Sequence, residues 1–229
     1  MLDITEGLTI LVDKPYKWTS FDVVNKIRWN LKRSLGVKNV KVGHAGTLDP
    51  LATGLLVLCI GKHTKLIEGL TNDSKTYTGT FLLGKTTPSY DLETAFDEQY
   101  DISHIDHRQL EEVRVSFLGK QAQFPPIYSA KQIDGKRAYD IARAGKTVEM
   151  REVAIEIMDF SIDATRFPEI DFQVTCSKGT YIRSLAHDFG LRLFSGATLI
   201  ALRRTQSGNF KIEDALSVDA WIEKINSTP

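Results

Sequence analysis

One aspartate stands alone in a loop built to be stiff. Between Gly43 and Gly54 the chain reads GHAGTLDPLATG, with three glycines, two threonines, a proline, a histidine and a single carboxylate, Asp49. Leu48 precedes that carboxylate, and the apolar run Leu55 to Ile60 follows the loop. A carboxylate so placed can serve as a nucleophile or as a general base. Three further places carry side chains of comparable potential: His44 in the same loop, Tyr77 on a strand-like segment, and Tyr181 with Arg183 after a Gly-Thr turn. Each also has a plain structural reading. Aspartate before proline forms turns, and a histidine among glycines can bond its own loop. Tyr77 alternating with Phe81 fits a core strand, and Tyr181 and Arg183 fit a helix start and a surface charge.

Other chemistries find little support. His104 and His107 are three apart but lie in an acidic stretch with no cysteine nearby, which suits surface histidines better than a zinc site. GLLVLCIGKHT places Gly-Lys before Thr, yet its glycines are wrongly spaced for a phosphate loop and a strand fills the gap. No dinucleotide fingerprint occurs. An enzyme of this sequence is expected to work with side chains alone, without cofactor or metal. Cys59 and Cys176 sit in apolar, strand-like contexts and read as buried free thiols.

The elements that position these residues follow from periodicity. Leu8 to Pro15 reads as a buried strand. WTSFDVVNKIRWNLKRSLG reads as a helix capped by Thr19 or Ser20, lined by Phe21, Val24, Ile27 and Leu31, and ended by Gly36. Strands are expected at Leu55 to Ile60 and Lys75 to Gly84, with a short helix between them. The stretch from Thr86 reads as loop, passing into a helix near Arg108 to Phe117. Strands follow at Val153 to Ala164 and Ile170 to Cys176. YIRSLAHDFGLRL reads as a helix with Ile182, Leu185, Ala186 and Phe189 inward. A strand pair around Thr198 to Phe210 and a helix near Val218 to Ile225 come last. This irregular alternation is α+β, with one extended mixed sheet flanked by helices. Phe124 to Glu152 changes character: tandem prolines, an Asp-Gly turn, a short helix near Arg137 to Ala144 and six cations mark an inserted flap.

The 229 residues are 42% hydrophobic and 25% charged, an ordinary globular composition. No apolar run reaches the length of a membrane span, and the N-terminus has no signal-like core. A cytoplasmic chain without membrane association is expected. Net charge is zero, but Asp91 to Glu112 holds eight acids against one arginine, a net of −7, so the rest carries +7. A basic working face and an acidic, solvated segment turned away from it would give this balance.

Five segments together resemble one family, the pseudouridine synthases of the bacterial TruB type, which act on tRNA. GHAGTLDPLATGLLVLCIGKHTK resembles its catalytic motif, and LVDKPYKWTS its N-terminal lysine-proline motif. KTYTGTFLLGKTTPSYD resembles the strand with the active-site tyrosine. PPIYSAKQIDGKRAYDIARAG resembles its RNA-gripping thumb, and CSKGTYIRSLAHDFG the motif with the active-site arginine. They appear in the family's order across about residues 8 to 206.

The resemblance implies the pseudouridine synthase fold and a cofactor-free isomerisation: uracil leaves its ribose at N1, turns, and rejoins through C5. The substrate would be the T-loop uridine in the T stem-loop of elongator tRNAs. Asp49 is then the essential aspartate, Tyr77 stacks on the target ring, and Arg183 pairs with the aspartate. His44 enters the space left by the flipped base, Tyr181 shares the pocket, and Leu202 belongs to its wall. Lys14 and the thumb cations Lys131, Lys136, Arg137 and Arg143 are expected to contact RNA. Arginine suits a buried carboxylate because it keeps its charge when desolvated and grips with two hydrogen bonds. The whole of 1–229 reads as one catalytic domain with a thumb at 124–152. The RNA-binding PUA domain found in many relatives is expected to be absent. A monomer without an obligatory protein partner is expected. Two other readings stand beside this one: a non-catalytic tRNA-binding or folding protein, and a guide-RNA-dependent synthase. The first has no need of a carboxylate facing RNA, and the second relies on PUA and accessory proteins.

Overall fold

A computed structural model describes residues 6–128, 132–133, 136–137 and 150–227. In chain order its elements are β1 (Leu8–Lys14), α1 (Ser20–Leu35), β2 (Val42–His44), β3 (Thr53–Ile60), α2 (Ile67–Thr71), β4 (Lys75–Leu83), β5 (Lys85–Thr86), β6 (Glu98–Gln99) and α3 (His107–Ser116). Then come β7 (Gly119–Gln123), β8 (Gln132–Ile133), β9 (Lys136–Arg137), β10 (Val153–Arg166), β11 (Glu169–Cys176), α4 (Ile182–Arg192), β12 (Ala197–Ser207), β13 (Phe210–Lys211), β14 (Leu216–Ser217) and α5 (Val218–Asn226). The class is α+β with a mixed sheet. The chain divides into two compact units, Met1–Thr78 with Leu202–Pro229, and Gly79–Ala201.

In the first unit the strand order is β14-β1-β3-β12. Strand β3 is buried along nearly its whole length, as a continuous apolar run covered on both faces requires. It pairs antiparallel with β1 from Leu8↔Ile60 to Lys14↔Gly54. Its other edge changes partner. β2 pairs antiparallel with Leu58 to Ile60, whereas β12 runs parallel beside Thr53 and Gly54. This handover forces open the connection from β2 to β3, and that connection is the loop carrying Asp49.

Helix α1 begins with a reciprocal cap. The Thr19 hydroxyl accepts the Asp22 N–H, and the Asp22 carboxylate accepts the Thr19 N–H. Gly36 ends it in the left-handed conformation. Val23, Val24, Ile27 and Leu31 pack in one core with Ile10, Leu56 and Leu58 of the sheet and Trp221 and Ile225 of α5. Phe21, expected on that face, is exposed and Val23 takes its place. At about 100° per residue, Phe21 falls well over a quarter turn from the centre of the buried stripe.

In the second unit the order is β12-β4-β11-β10-β7. Phe81, Phe117, Phe160, Phe172 and Phe189, all buried, form a ring cluster in which Phe81 and Phe172 stack at 4.2 Å. Helix α4 contributes Phe189 to it and buries Ile182, Leu185 and Ala186 as its periodicity demands. The segment from Thr86 is not entirely loop, because β5 and β6 pair within it. Its acids are mostly exposed, with one exception: Asp91 is buried. In the flap, β8 pairs with β9 across the expected Asp-Gly position. The short helix expected near Arg137 to Ala144 lies outside the described residues.

Phe189 meets Phe81, Phe117 and Phe160 at ring distances of 5.6–6.1 Å. Phe189→Ala is expected to cost about 3–5 kcal/mol of stability. Urea unfolding followed by far-ultraviolet circular dichroism measures this as a lowered midpoint.

Candidate active site

The Asp49 loop is held by its backbone. Asp49 itself is half-buried, and its carbonyl accepts the Ala52 N–H at 3.1 Å, closing a tight turn with Pro50 inside it. The Leu48 N–H donates to Ser20 Oγ at 2.9 Å, and that hydroxyl also reaches the Leu48 carbonyl at 3.2 Å. Ser20, a candidate cap in the sequence, therefore braces the loop while Thr19 caps the helix. Lys17 N–H donates to the Pro50 carbonyl at 2.8 Å.

Two buried cations complete the brace. Lys14 is fully buried at the end of β1, and its Nζ donates to the carbonyls of Trp18 at 2.5 Å, Pro15 at 3.1 Å and Pro50 at 3.4 Å. Arg204 is 1% exposed; its Nε donates to the Leu55 carbonyl at 2.7 Å and its Nη2 to the Gly46 carbonyl at 3.1 Å. Gly54 is obligatory here. Its φ is 101°, and a Cβ on it would lie 2.3 Å from the Arg204 carbonyl oxygen.

Burial draws the Lys14 pKa down from 10.5 to about 8. The Asp49 charge opposes this, Arg204 adds to it, and Asp22 opposes it more weakly. A lysine therefore stands electrostatically beside Asp49 within its own unit. His44 is half-buried, and its pKa is lowered by burial and then by Arg204, with the Gly46 backbone acting in the opposite sense. Its Nδ1 is buried without a hydrogen bond among the described residues. Burial and Arg204 both favour the neutral imidazole over the charged one.

Tyr77 is half-buried on β4, two residues after Lys75 and so on the same strand face. Lys75 is buried and donates to the Asp73 and Thr71 carbonyls at 2.6 and 2.7 Å, closing the end of α2. A Cβ on Gly46 would lie 3.3 Å from Arg204 Nη1 and 3.9 Å from Lys75 Cε, so the loop stands beside the start of β4. Leu202 is half-buried on β12, where its carbonyl accepts Thr53 Oγ1 at 3.4 Å.

Tyr181 and Arg183 belong to the second unit. Tyr181 precedes α4, and the Gln123 side chain binds both its N–H, at 2.8 Å, and its carbonyl, at 3.1 Å. Arg183 is a buried charge and not the surface residue its bare context suggested. Its Nη1 donates to the Tyr128 carbonyl at 2.8 Å and the Ser89 carbonyl at 3.3 Å, and its Nε lies 3.7 Å from the Asp91 carboxylate. Asp91 stands apart from the solvated acids of its segment. Its burial follows from its neighbours: Thr87 and Ser89 are buried too, and both donate to the Asp91 carbonyl.

Sequence reasoning missed Arg204, Lys75 and Asp91. A signal existed for Arg204. It follows Arg203 on a strand, where adjacent side chains point to opposite faces, so one of the pair must face inward. Arg203 is the outer member, with its two terminal nitrogens, Nη2 and Nη1, on the Asp13 carboxylate at 2.7 and 3.0 Å. Of the thumb residues, Lys136 and Arg137 fall on β9, while Lys131 and Arg143 lie outside the described residues.

Residues 32–182 match the TruB family pseudouridylate synthase N-terminal domain, and residues 183–224 match the tRNA pseudouridylate synthase B C-terminal domain. The chain belongs to the TruB family of pseudouridylate synthases. Among solved structures it resembles a Cbf5-Nop10-Gar1 complex, with 28% identity and a TM-score of 0.71 over 96% of this chain and 54% of that one. A second, an H/ACA RNP bound to a substrate RNA containing 2′-deoxyuridine, gives 26% identity and a TM-score of 0.68, over 96% of this chain and 53% of that one. This chain thus spans about half the length of those two. Nearer relatives match almost end to end. A Phocaeicola vulgatus protein named tRNA pseudouridine synthase B is 50% identical over 97% of this chain and 94% of its own. One of the same name from Flavobacterium johnsoniae is 49% identical over 96% of each.

Lys14 gives the site a pH signature. Between pH 8 and 10.5 the unfolded chain holds a proton that the folded chain has released. Lys14 therefore makes stability rise with pH across that window. The stability gap between wild type and Lys14→Met is expected to shift in favour of wild type from pH 7.5 to pH 9.5. Urea midpoints at both values check this, and an unchanged gap refutes the lowered pKa.

Proposed function

We propose that this chain converts the T-loop uridine of tRNA to pseudouridine, in the cytoplasm, as a single protein and without a cofactor. The observation that carries the reading is the half-buried Asp49, held in a loop whose carbonyls are pinned by Lys14 and Arg204. The N1–C1′ bond of the uridine must break and a C1′–C5 bond must form; C5 gives up its proton and N1, freed of the sugar, ends with one. Product and substrate are therefore isomers. The step at the sugar needs an anion. Asp49 either attacks C1′ or removes a proton to start an elimination, and both routes begin with its ionised form. A loop fixed before the substrate arrives needs no reorganisation as charge develops on the ribose.

The uridine must first leave its stack, at a cost of roughly a few kcal/mol. Tyr77 is assigned the face of the extruded base, where stacking contributes roughly 1–3 kcal/mol. His44 is assigned the vacated place in the RNA, and Tyr181 and Leu202 the walls around the base. Arg183 supplies a permanent buried charge and is the third catalytic assignment after Asp49 and Tyr77. Lys14 acts on the loop from inside the protein and is better described as a positioning residue than as an RNA contact. Thumb cations Lys131, Lys136, Arg137 and Arg143 are assigned to phosphates, which hold RNA without reading its sequence.

Guide-RNA dependence is the weaker reading. Its support comes from neighbours under 30% identical, of which this chain spans about half, whereas the half-identical relatives match nearly end to end.

Asp49→Asn is expected to abolish conversion of a tRNA transcript while tRNA binding persists, read by site-specific pseudouridine mapping and filter binding. Conversion within tenfold of wild type removes Asp49 from the chemistry. A second expectation concerns the size of the substrate. Proteins read RNA chiefly at unpaired loops. An isolated T-arm stem-loop competing with full tRNA in one tube is expected to react with a kcat/KM within about a hundredfold, or roughly 2.7 kcal/mol. A larger preference for full tRNA means that contacts beyond the arm matter.

A further inference from the structure

The outer face of α1 has no assigned task, yet its composition is unusual for this chain. Between Tyr16 and Lys41 there are seven cations and one carboxylate, in a protein of zero net charge. Arg28 is occupied by the Val42 carbonyl and the Asn25 side chain, and Lys32 is half-buried. Lys17, Lys26, Arg33, Lys38 and Lys41 are exposed. The same face carries large aromatic rings in solvent: Phe21 is 60% exposed and Trp29 is 56% exposed. Phe21, Asn25, Trp29 and Arg33 recur every four residues and so form one stripe along the helix, with Lys26 beside it. The Arg33 guanidinium lies 5.5 Å from the Trp29 ring centre, and Lys17 Nζ lies 5.7 Å from that of exposed Tyr16. Cations interleaved with exposed rings suit a nucleic-acid backbone, phosphates on the cations and sugars against the rings.

The helix is also fixed to the reacting loop. Ser20 at its first turn binds Leu48, and Lys17 just before it binds Pro50. Resting on the proposed function, we infer that the outer face of α1 is an RNA-contact surface, formed by Lys17, Phe21, Lys26, Trp29 and Arg33, that holds the paired stem next to the target loop. Its reach follows from helix geometry. Trp29 and Arg33 lie nine and thirteen residues beyond Ser20, or about 13 and 20 Å at 1.5 Å per residue. Base pairs stacked about 3 Å apart cover that distance in roughly four to seven steps. The stripe therefore meets stem phosphates and not the loop itself.

The test uses the full chain with Lys26→Glu/Arg33→Glu and with Trp29→Ala, all at exposed positions, with thermal melting to confirm folding. Binding is measured by filter retention across a salt series, with tRNA, with a full T-arm transcript and with one whose stem is cut to two base pairs. Both variants are expected to bind the full stem at least tenfold more weakly. The charge-reversal variant should also flatten the plot of log affinity against log salt by about 0.7–0.9 per lost phosphate contact. The short-stem RNA is expected to bind wild type and variants alike. Equal affinity and equal salt slope on the full stem overturn the inference. So does a face that binds phosphatidylserine vesicles and loses them on substitution while RNA binding is untouched. A chain that binds RNA through α1 but forms no pseudouridine refutes the proposed reaction and leaves this surface standing. A converting chain indifferent to the α1 variants refutes this surface alone.

Discussion

The first unit depends on burying two positive charges, Lys14 and Arg204, and giving them carbonyl oxygens in place of water. An unpaired charge in an apolar core costs many kcal/mol, so each must be met by several acceptors. Those acceptors are the backbone of the Asp49 loop, of β3 just after it, and of the connection from β1 to α1. The requirement works in both directions. The cations are tolerable only while the loop keeps its path, and the loop keeps its path because leaving it would strand a cation. A loop of glycines and one proline is thereby given the rigidity of a strand without pairing as one.

The second unit repeats the device with different parts. Arg183 is buried at the start of α4 and draws on the carbonyls of Ser89 and Tyr128, with the Asp91 carboxylate alongside. In both units, loop segments are tied to buried cations through main-chain oxygens. The side chains of the braced loops are thereby left free of the task of holding them, and position is set by groups that no substitution can remove.

Much of this fold was legible because its periodicity is strong. The alternation of β1, the apolar run of β3, the stripe of α4 and the caps of α1 each follow from local sequence. Asp49, Tyr77 and Arg183 stood out through the family resemblance; alone, each had an ordinary structural reading. What escaped was the inside-out placement of charge. Lysine and arginine read as surface residues, so Lys14 was assigned to RNA and Arg204 passed unnoticed, although its neighbour Arg203 marked it. Asp91 was lost among acids that really are solvated. Phe21 was drawn inward by its hydrophobicity, but its angle on α1 leaves it in water. The exchange of β2 for β12 along β3 is a pairing between distant segments, and no local pattern announces it.

That exchange sets an order in time. The partner of Thr53 and Gly54 is Arg203 and Arg204, about 150 residues later in the chain. A ribosome adding roughly 5–20 residues per second makes the Asp49 loop roughly eight to thirty seconds before Arg204 exists. Until then the first residues of β3 have no partner on the edge away from β1, and the loop lacks one of its two braces. Closing so long a span is entropically expensive, and the pairing repays it only when complete. A chain interrupted before β12 therefore carries every residue of the glycine loop but only the bracing that Lys14, Lys17 and Ser20 give it, so that the finished loop arrives last, with the pairing that completes the unit.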